Sequence, residues 1–292
     1  MAKSAEQHLT MTNRVLVIGA GGFVGGAIAK KVAADGYEVK RIDRMLLDLL
    51  APSAADQLAG LIRSSDCVVF AAAEAPCKTP ESLQRNIALV FTVLQAIQIS
   101  TPTYLMNISS DAVYLDSAMP LSESSPIGPA SLHGAMHSAR EALLNSAPTS
   151  VIHLRPTLIY GFGDPHNGYG PNQFISRVRS GADIHLFGNG EERRDHVHIG
   201  DVARIASRCL LKRPTGSLNV ASGEVQSFRE IAELTVKLHD EKVQIRVTPR
   251  SGPMPHGGYR PIAIDQLRRL FPDFMPIKVL DGLALEVASY GS

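Results

Sequence analysis

The chain of 292 residues has no tryptophan, only three cysteines and no long apolar segment. Cys67, Cys77 and Cys209 lack the spacing of metal ligands, and Cys67 and Cys209 stand in apolar segments, so we expect buried free thiols in a reducing compartment. No apolar stretch is long enough to cross a bilayer. The polar residues 1–13, which we expect to fray, contain no apolar signal-peptide core. The sequence therefore predicts a cytoplasmic protein with no membrane segment.

The chain also lacks an excess of charge of either sign, because its positive and negative residues nearly balance to a formal net charge of +1. Without a basic run, neither nucleic acid nor an anionic membrane is an expected partner. The hydrophobic content of 45% is ample for a core. This length predicts either one large α/β domain or one domain with a smaller lobe.

Glycine is concentrated after the first apolar β-branched run, in the segment Arg14–Gly26. The order of residues predicts a strand, a tight turn and a helix. Gly19 would let the chain turn sharply, Gly22 would let the backbone approach a pyrophosphate, and Gly25 would let the helix pack closely on the strand. The N–H groups at the start of that helix would hold the phosphates. The motif in this context indicates a dinucleotide site.

Asp43 stands at the end of a second predicted strand, about twenty residues beyond the glycines, where an acid bonds the ribose 2′-hydroxyl. A carboxylate there would repel a 2′-phosphate, which favours NAD over NADP. The nearby Arg41 and Arg44 leave NADP as an alternative, because an arginine could accommodate that phosphate. A solvated residue at a strand end is the other interpretation of Asp43.

Strands and helices alternate along the first half of the chain. The patterns predict further strands over Cys67–Ala72, Tyr104–Ser109 and Val151–Arg155, and helices over Glu81–Ile99 and Leu132–Leu144. This alternation is typical of a doubly wound, mostly parallel α/β sheet, whose ligands bind at the carboxyl ends of the strands. After a Gly- and Pro-rich loop the elements shorten. We therefore predict a dinucleotide-binding domain over residues 13–160 and, over 161–292, mainly a smaller substrate-binding lobe with segments that return to the first domain.

Further motifs follow the glycines in a fixed order: Asp48-Leu49, Ala71-Ala72-Ala73, Asn86, Ser109–Tyr114, Leu154–Thr157 and Gly190–Val202. From about Asn13 to Val202 the chain resembles the extended short-chain dehydrogenase/reductase superfamily, in particular its NAD-dependent nucleotide-sugar epimerases and dehydratases. The resemblance implies a Rossmann fold, NAD as cofactor and a nucleotide-sugar substrate. It also implies a homodimer formed through the two helices Glu81–Ile99 and Leu132–Leu144.

The resemblance implies a role for individual residues as well. Ser110 would hydrogen-bond the reacting sugar hydroxyl, and Asn172 and Arg194 would bind the substrate. Strand-end and solvated-charge interpretations of Ser110 and Arg194 stay open, and His153 is expected to be structural. The residues that would contact NAD are Gly19, Gly22, Phe23, Val24, Gly25, Asp43, Asp48, Leu49, Ala71, Ala72, Ala73, Asn86, His137 and Pro156.

The chain departs from that superfamily at its catalytic Tyr-x-x-x-Lys pair, where His133 and His137 stand instead. Free tyrosine has a pKa near 10 and needs the lysine to become a base, whereas histidine, near 6.5, is already a neutral base. His133 is therefore the predicted replacement base. His137 has one N–H to offer where lysine has three. Activity should fall at low pH, and a metal bound by this pair is not expected because no third ligand has suitable spacing.

Asp111 is followed by alanine, whereas dehydratases of the resembled family often carry an Asp-Glu pair there. Asp111 could still act as an acid, but sugar dehydration is less favoured. Three functions stay open: an NAD-dependent nucleotide-sugar epimerase; a related reductase, dehydratase or decarboxylase acting on a sugar or another small metabolite; and a nucleotide-binding protein that has lost catalysis.

Overall fold

The computed structural model describes residues 14–239 and 243–289, so the predicted fraying of residues 1–13 lies outside the described part. Its strands alternate with helices as the sequence predicts, although the third strand ends at Phe70, before the alanines. The strands are β1 (Arg14–Ile18), β2 (Glu38–Ile42), β3 (Cys67–Phe70), β4 (Tyr104–Ile108), β5 (Ser150–Pro156), β6 (Leu158–Tyr160), β7 (Ile184–Phe187), β8 (Arg193–His198), β9 (Gly216–Val220), β10 (Val225–Ser227), β11 (Ile245–Thr248) and β12 (Tyr259–Arg260).

Helices cover both faces of the main sheet, and shorter ones stand between the strands of the second half of the chain. A short 3₁₀ turn, Asp111–Val113, follows β4. None of the described helices combines the length and the apolar character that crossing a membrane requires. The helices are α1 (Phe23–Ala34), α2 (Ala54–Leu61), α3 (Pro80–Ile99), α4 (Leu132–Leu144), α5 (Pro171–Arg179), α6 (Ile199–Lys212), α7 (Phe228–His239), α8 (Asp265–Leu270) and α9 (Val279–Ser289).

Six parallel strands form the central sheet in the order β2-β1-β3-β4-β5-β9. Both faces are apolar and buried, which explains why β1 reads as a continuous hydrophobic run rather than an alternating one. Val15 and Val17 face the layer of α1 and α6, while Leu16 and Ile18 face the layer of α2 and α3. The predicted doubly wound parallel sheet is confirmed.

The chain beyond β5 forms smaller units and then returns to the sheet. One small sheet contains β10, β8 and β12, with β6 alongside β8, and β7 pairs with β11. The helices α5, α7 and α9 enclose a separate apolar cluster. Between these units α6 packs on α1 and β9 joins the central sheet beside β5. The division into two domains at residue 160 stays a prediction.

Candidate functional site

The glycine loop between β1 and α1 adopts a tight conformation that side chains would prevent at two positions. Gly19 has a φ of +90°, and a Cβ there would lie 2.5 Å from the Ala72 nitrogen. A Cβ on Gly25 would lie 2.2 Å from the Gly19 carbonyl oxygen. The helix therefore packs on the loop as closely as the sequence analysis expects.

The N-terminus of α1 is open to an anion. Gly22 precedes the helix without a side-chain hydrogen bond to it, so the first N–H groups of α1 lack a cap. A Cβ on Gly22 would approach the Gly19 carbonyl oxygen no closer than 3.4 Å, so the protein itself leaves room there. Phe23 and Val24, the next predicted contacts, are partly buried against the core.

A cavity of about 690 Å³ runs from this loop along the carboxyl ends of β1, β2 and β3. Most of the predicted cofactor contacts lie on its wall, which shows that the folded chain brings them together. They are Gly19, Gly22, Asp43, Asp48, Leu49, Ala71, Ala72 and Ala73. The glycine loop, the acidic strand end and the alanines after β3 thus fit an extended dinucleotide.

Asp43 and Asp48 shape the cavity wall through their own loops. Oδ1 of Asp43 accepts hydrogen bonds from the N–H groups of Met45 and Leu46, at 3.1 and 3.0 Å, and Oδ1 of Asp48 accepts one from Leu50. Arg41 donates to the Ala20 carbonyl oxygen. Of the two nearby arginines, Arg44 is the one on the cavity wall.

Asn86 does not line the cavity but holds the loop that does. Its amide accepts from the Glu74 N–H at 2.9 Å and donates to the Glu74 and Ser82 carbonyl oxygens. The Glu74 carboxylate pairs with Arg85 through two bonds of 2.6 Å at the rim of the cavity. Asn86, predicted to contact the cofactor, therefore lies behind the cavity wall and holds it in position. Pro156 is buried in β5 beside Val220 of β9 and is not on that wall.

The 3₁₀ turn after β4 meets the start of α4 at Gly134. A Cβ on Gly134 would lie 2.1 Å from the Ala112 carbonyl oxygen, so only glycine allows this contact. Ser110 begins the turn, and its Oγ accepts a hydrogen bond from the Ala112 N–H at 3.1 Å. This contact brings Ser110 and His133, which are distant in sequence, to adjoining elements.

His133 is half-buried, and its ring lies 4.7 Å from the ring of His137 between centroids, edge to face. Its Nδ1 accepts a weak hydrogen bond from the Cys77 N–H at 3.4 Å. A neutral imidazole that accepts at Nδ1 carries its proton on Nε2. Burial lowers the pKa of His133, while the negative charge of Asp111 opposes that change.

His137 lies deeper than His133, and its Nδ1 has no hydrogen-bond partner among the described residues. Burial lowers its pKa well below the ordinary value, and His133 and Arg140 lower it further. His137 is therefore neutral near pH 7 and brings no positive charge to the lysine position of the motif.

Asp111 faces an arginine that the sequence analysis did not assign. Arg260 is buried, and its Nε donates to Asp111 Oδ2 at 2.9 Å while its Nη2 donates to the Asp111 carbonyl oxygen at 2.6 Å. Arg260 also pairs with Asp116, whose carboxylate contacts His256. No motif marked the proline-rich segment around Arg260, so no signal in the sequence could have placed it here.

The predicted substrate residue Arg194 lies in a cluster around a buried acid. Glu192 pairs with Arg194 at 3.2 Å and with Arg250 at 3.5 Å. Because β12 pairs in parallel with β8, Arg260 is the strand neighbour of Arg194. Three arginines thus converge on one edge of the site, and a phosphate could compete with Glu192 for two of them.

Asn172 holds the loop that follows β6. It accepts from the Gly161 N–H at 2.9 Å and donates to Asp164 Oδ2 at 2.7 Å. Together with Asn167 and Ser176 these residues line a second, polar cavity of about 310 Å³. Whether a substrate meets Asn172 directly stays a prediction.

His153 has the structural role that the sequence analysis predicts. Its Nδ1 lies 3.0 Å from the Asn107 amide nitrogen, and its Nε2 lies 3.0 Å from Asn145 Oδ1. Both ring nitrogens are thus used inside the protein, and burial lowers the pKa of His153 to about 4. All three cysteines are free and buried, which confirms the prediction for Cys67 and Cys209 and adds Cys77.

His196 of β8 is buried beside Phe228, and neither ring nitrogen has a hydrogen-bond partner among the described residues. Burial lowers its pKa to about 3. An unfolded histidine takes up a proton near pH 6.5, whereas native His196 does not. This histidine therefore contributes to stability above pH 6.5, and the contribution falls as the pH drops from there towards 3.

Replacing His196 by phenylalanine should make the protein less sensitive to acid. Between pH 7 and pH 5 the His196→Phe variant should lose about 2 kcal/mol less unfolding free energy than the wild type. Urea unfolding at both pH values measures this difference. The exposed His185 is the control position, where the same substitution should leave the pH dependence unchanged. Equal pH dependence of wild type and His196→Phe would contradict the assignment.

Comparison with known proteins adds to this geometry. The family model described as NAD dependent epimerase/dehydratase family matches residues 15–221. The UDP-glucose 4-epimerase of Mycolicibacterium smegmatis is 27% identical over 252 residues, which are 75% of this chain and 80% of that protein. A crystal structure of the Thermus thermophilus UDP-glucose 4-epimerase in complex with NAD superimposes with a TM-score of 0.79 at 22% identity, covering 96% of this chain and 99% of that one.

Another relative matches over a shorter stretch. The dTDP-4-dehydro-6-deoxy-D-allose reductase of Streptomyces bikiniensis is 29% identical over 107 residues, or 35% of this chain. The chain spans about a third of that protein, since the match covers 32% of its length. Epimerases and reductases are thus both among the similar proteins.

Proposed function

Because the chain belongs to the NAD dependent epimerase/dehydratase family, we propose that it is a nucleotide-sugar epimerase that transfers a hydride transiently to NAD. The observation that carries the proposal is the cavity that joins the glycine loop, Asp43 and the alanines after β3. Bound there, NAD would accept a hydride from a sugar carbon and return it to the other face of the ring. The first N–H groups of α1 would hold its phosphates, and Asp43 would hold a ribose.

His133 would take the proton from the reacting sugar hydroxyl, with Ser110 orienting that hydroxyl. As a neutral histidine it has a basic lone pair, whereas the phenol oxygen of a protonated tyrosine accepts hydrogen bonds but is too weak a base to take the proton. The lone pair is on Nδ1, which now accepts the Cys77 N–H, so the hydroxyl would replace that contact. A bond of 3.4 Å is at the weak end of the range and costs little to exchange. Below the lowered pKa of His133 the lone pair is lost, so activity should decline in acid.

The nucleotide diphosphate would bind at the arginine cluster around Glu192. Arg194 and Arg250 share that carboxylate, at 3.2 and 3.5 Å, and could turn their guanidinium groups to phosphate oxygens. Arginine suits this work because it is always charged and presents a planar fork of donors. The second cavity beside Asn172 adds polar groups for the rest of the substrate.

Epimerisation is favoured over dehydration by the contacts of Asp111. Its Oδ2 and its carbonyl oxygen accept from Arg260 at 2.9 and 2.6 Å. In that arrangement the carboxylate serves as an acceptor and holds the 3₁₀ turn next to Ser110. A dehydratase needs an acid at this point that can deliver a proton to the departing hydroxyl.

The proposal includes a homodimer formed through α3 and α4, which pack on each other. Phe91 of α3 and Leu132 of α4 are exposed by 48% and 37%, so apolar surface is available for a second copy. We place the enzyme in the cytoplasm, where its three buried thiols would stay reduced.

Native mass spectrometry and a panel of nucleotide sugars test this function. We expect NAD to co-purify with the protein and one UDP- or dTDP-sugar to give a product of unchanged mass without net NADH formation. Loss of water from the sugar would indicate a dehydratase, and stoichiometric use of NADH would indicate a reductase. A protein that binds neither NAD nor any nucleotide sugar would overturn the proposal and favour a chain without this catalysis.

A further inference from the structure

Arg140 of α4 is among the largest fully buried side chains of the described residues, with 1% of its surface exposed. Its Nε donates to Asn107 Oδ1 at 2.5 Å, and its two Nη groups donate to the carbonyl oxygens of Phe70 and Ala72, both at 2.7 Å. The guanidinium carbon lies 3.6 Å from the centroid of the Phe70 ring. All three acceptors are uncharged, so the hydrogen bonds do not neutralise the cation.

The charge of Arg140 is unpaired. Over residues 14–239 and 243–289 no carboxylate lies within ion-pair distance of it. Burial lowers its pKa to about 9, so it is still a cation at neutral pH. Buried charges are normally paired because an isolated one is costly. A neutral amide could hold the same carbonyl groups more cheaply, which indicates that the charge itself has a use.

The position of Arg140 relates it to the cavity of the proposed NAD site. One of its acceptors, Ala72, lies on the cavity wall, and β3 ends there at Phe70. Arg140 also stands three residues after His137 on the same helix, so the two side chains are neighbours. His137 in turn occupies the position where the Tyr-x-x-x-Lys motif has its cation.

We propose that Arg140 supplies the fixed positive charge of this site in place of the motif's lysine, and that its presence excludes a second cation at position 137. The inference rests on the proposed NAD function. Arg140 acts as a positioning residue: it holds the end of β3 at the cavity and contributes positive potential at the cavity wall beside Ala72. A lysine at 137 would put two buried like charges side by side.

The relative affinity for NAD⁺ and NADH tests whether the positive charge of Arg140 acts on the bound cofactor. A nearby cation disfavours NAD⁺, whose nicotinamide ring is positively charged, relative to NADH. Arg140→Gln keeps hydrogen-bond donors but removes the charge, so the ratio of Kd for NAD⁺ to Kd for NADH should fall about tenfold. Arg140→Lys keeps the charge and should leave the ratio unchanged. If Arg140 had only a structural role, Arg140→Gln would raise the Kd of NAD⁺ and of NADH by the same factor. That result would overturn the proposal.

A double-mutant cycle tests, without any cofactor, whether Arg140 excludes a second cation at position 137. His137→Lys and His137→Met differ mainly in charge, and each is placed in the wild type and in Arg140→Gln. We expect the lysine variant to melt several degrees further below the methionine variant when Arg140 is present than when it is absent, because only the desolvation cost of the buried lysine remains without Arg140. An equal difference in both backgrounds would overturn the proposal. If the wild type binds neither nucleotide, the NAD function fails, and this cycle still decides the role of Arg140.

Discussion

Replacing His133 by phenylalanine should lower the turnover of the nucleotide sugar by about 10²–10⁴-fold, the usual contribution of a positioned base. Phenylalanine keeps a ring beside His137, 4.7 Å away in the wild type, but removes both nitrogens. The affinity for NAD should change little, because His133 is not on the wall of the cofactor cavity. Steady-state kinetics and NAD titration measure the two effects separately.

Two further variants sharpen this test. His185→Phe changes an exposed histidine of β7 and should keep full turnover. His133→Tyr restores the tyrosine of the family motif but should not restore the rate. Its phenol, with a pKa near 10, would have no cation in contact with it, because position 137 is not lysine and Arg140 directs its donors to Asn107, Phe70 and Ala72. Wild-type turnover in His133→Phe would exclude this histidine as the base and favour a water or another group.

Adding one methyl group at Gly25 should abolish NAD binding. In Gly25→Ala the new Cβ would lie 2.2 Å from the Gly19 carbonyl oxygen, which is far shorter than any non-bonded contact between carbon and oxygen. The start of α1 must therefore move away from β1, and the N–H groups that would hold the phosphates move with it. We expect no detectable NAD binding by calorimetry and a melting temperature several degrees lower.

The adjacent glycine provides the matched control. In Gly26→Ala the Cβ would lie 3.4 Å from the Ala20 carbonyl oxygen, which is an ordinary contact. Alanine is the better helix former by about 0.8–1 kcal/mol, so this variant should bind NAD normally and melt at the same temperature or higher. If Gly25→Ala also bound NAD with wild-type affinity, the close packing of α1 on the loop would not matter for the cofactor.

The sequence predicts well what depends on local pattern and backbone. The apolar run before Gly19 predicts a buried strand, and the periodicity of α3 predicts a helix. Gly19 and Gly25 indicate close backbone contacts that any side chain would block. The same reasoning places Ser110 at the edge of the sheet where the glycine loop lies, since the ends of parallel strands meet there. His133 lies on a helix, and its place in the site is predicted only by the resemblance to the Tyr-x-x-x-Lys motif.

What a side chain does once the elements meet is much harder to predict. Asn86 and Asn172 are predicted contacts of the cofactor and the substrate, yet their amides hold the backbone of Glu74 and Gly161, 12 and 11 residues earlier in the chain. Arg260 reaches Asp111 across 149 positions, a pairing that no spacing rule describes. Arg140 could have been found, since its place three residues after His137 puts both on one side of α4.

The return of the chain to the central sheet has a consequence for biosynthesis. β5 ends at Pro156, whereas its outer partner β9 ends at Val220, so one edge of the nascent sheet lacks its partner until more than sixty further residues have been translated. An unpaired apolar strand edge is a template for association with other chains. The ribosome-bound intermediate that carries β1 to β5 is therefore the species most in need of chaperone protection, and slowing translation between α5 and β9 would lengthen its exposure.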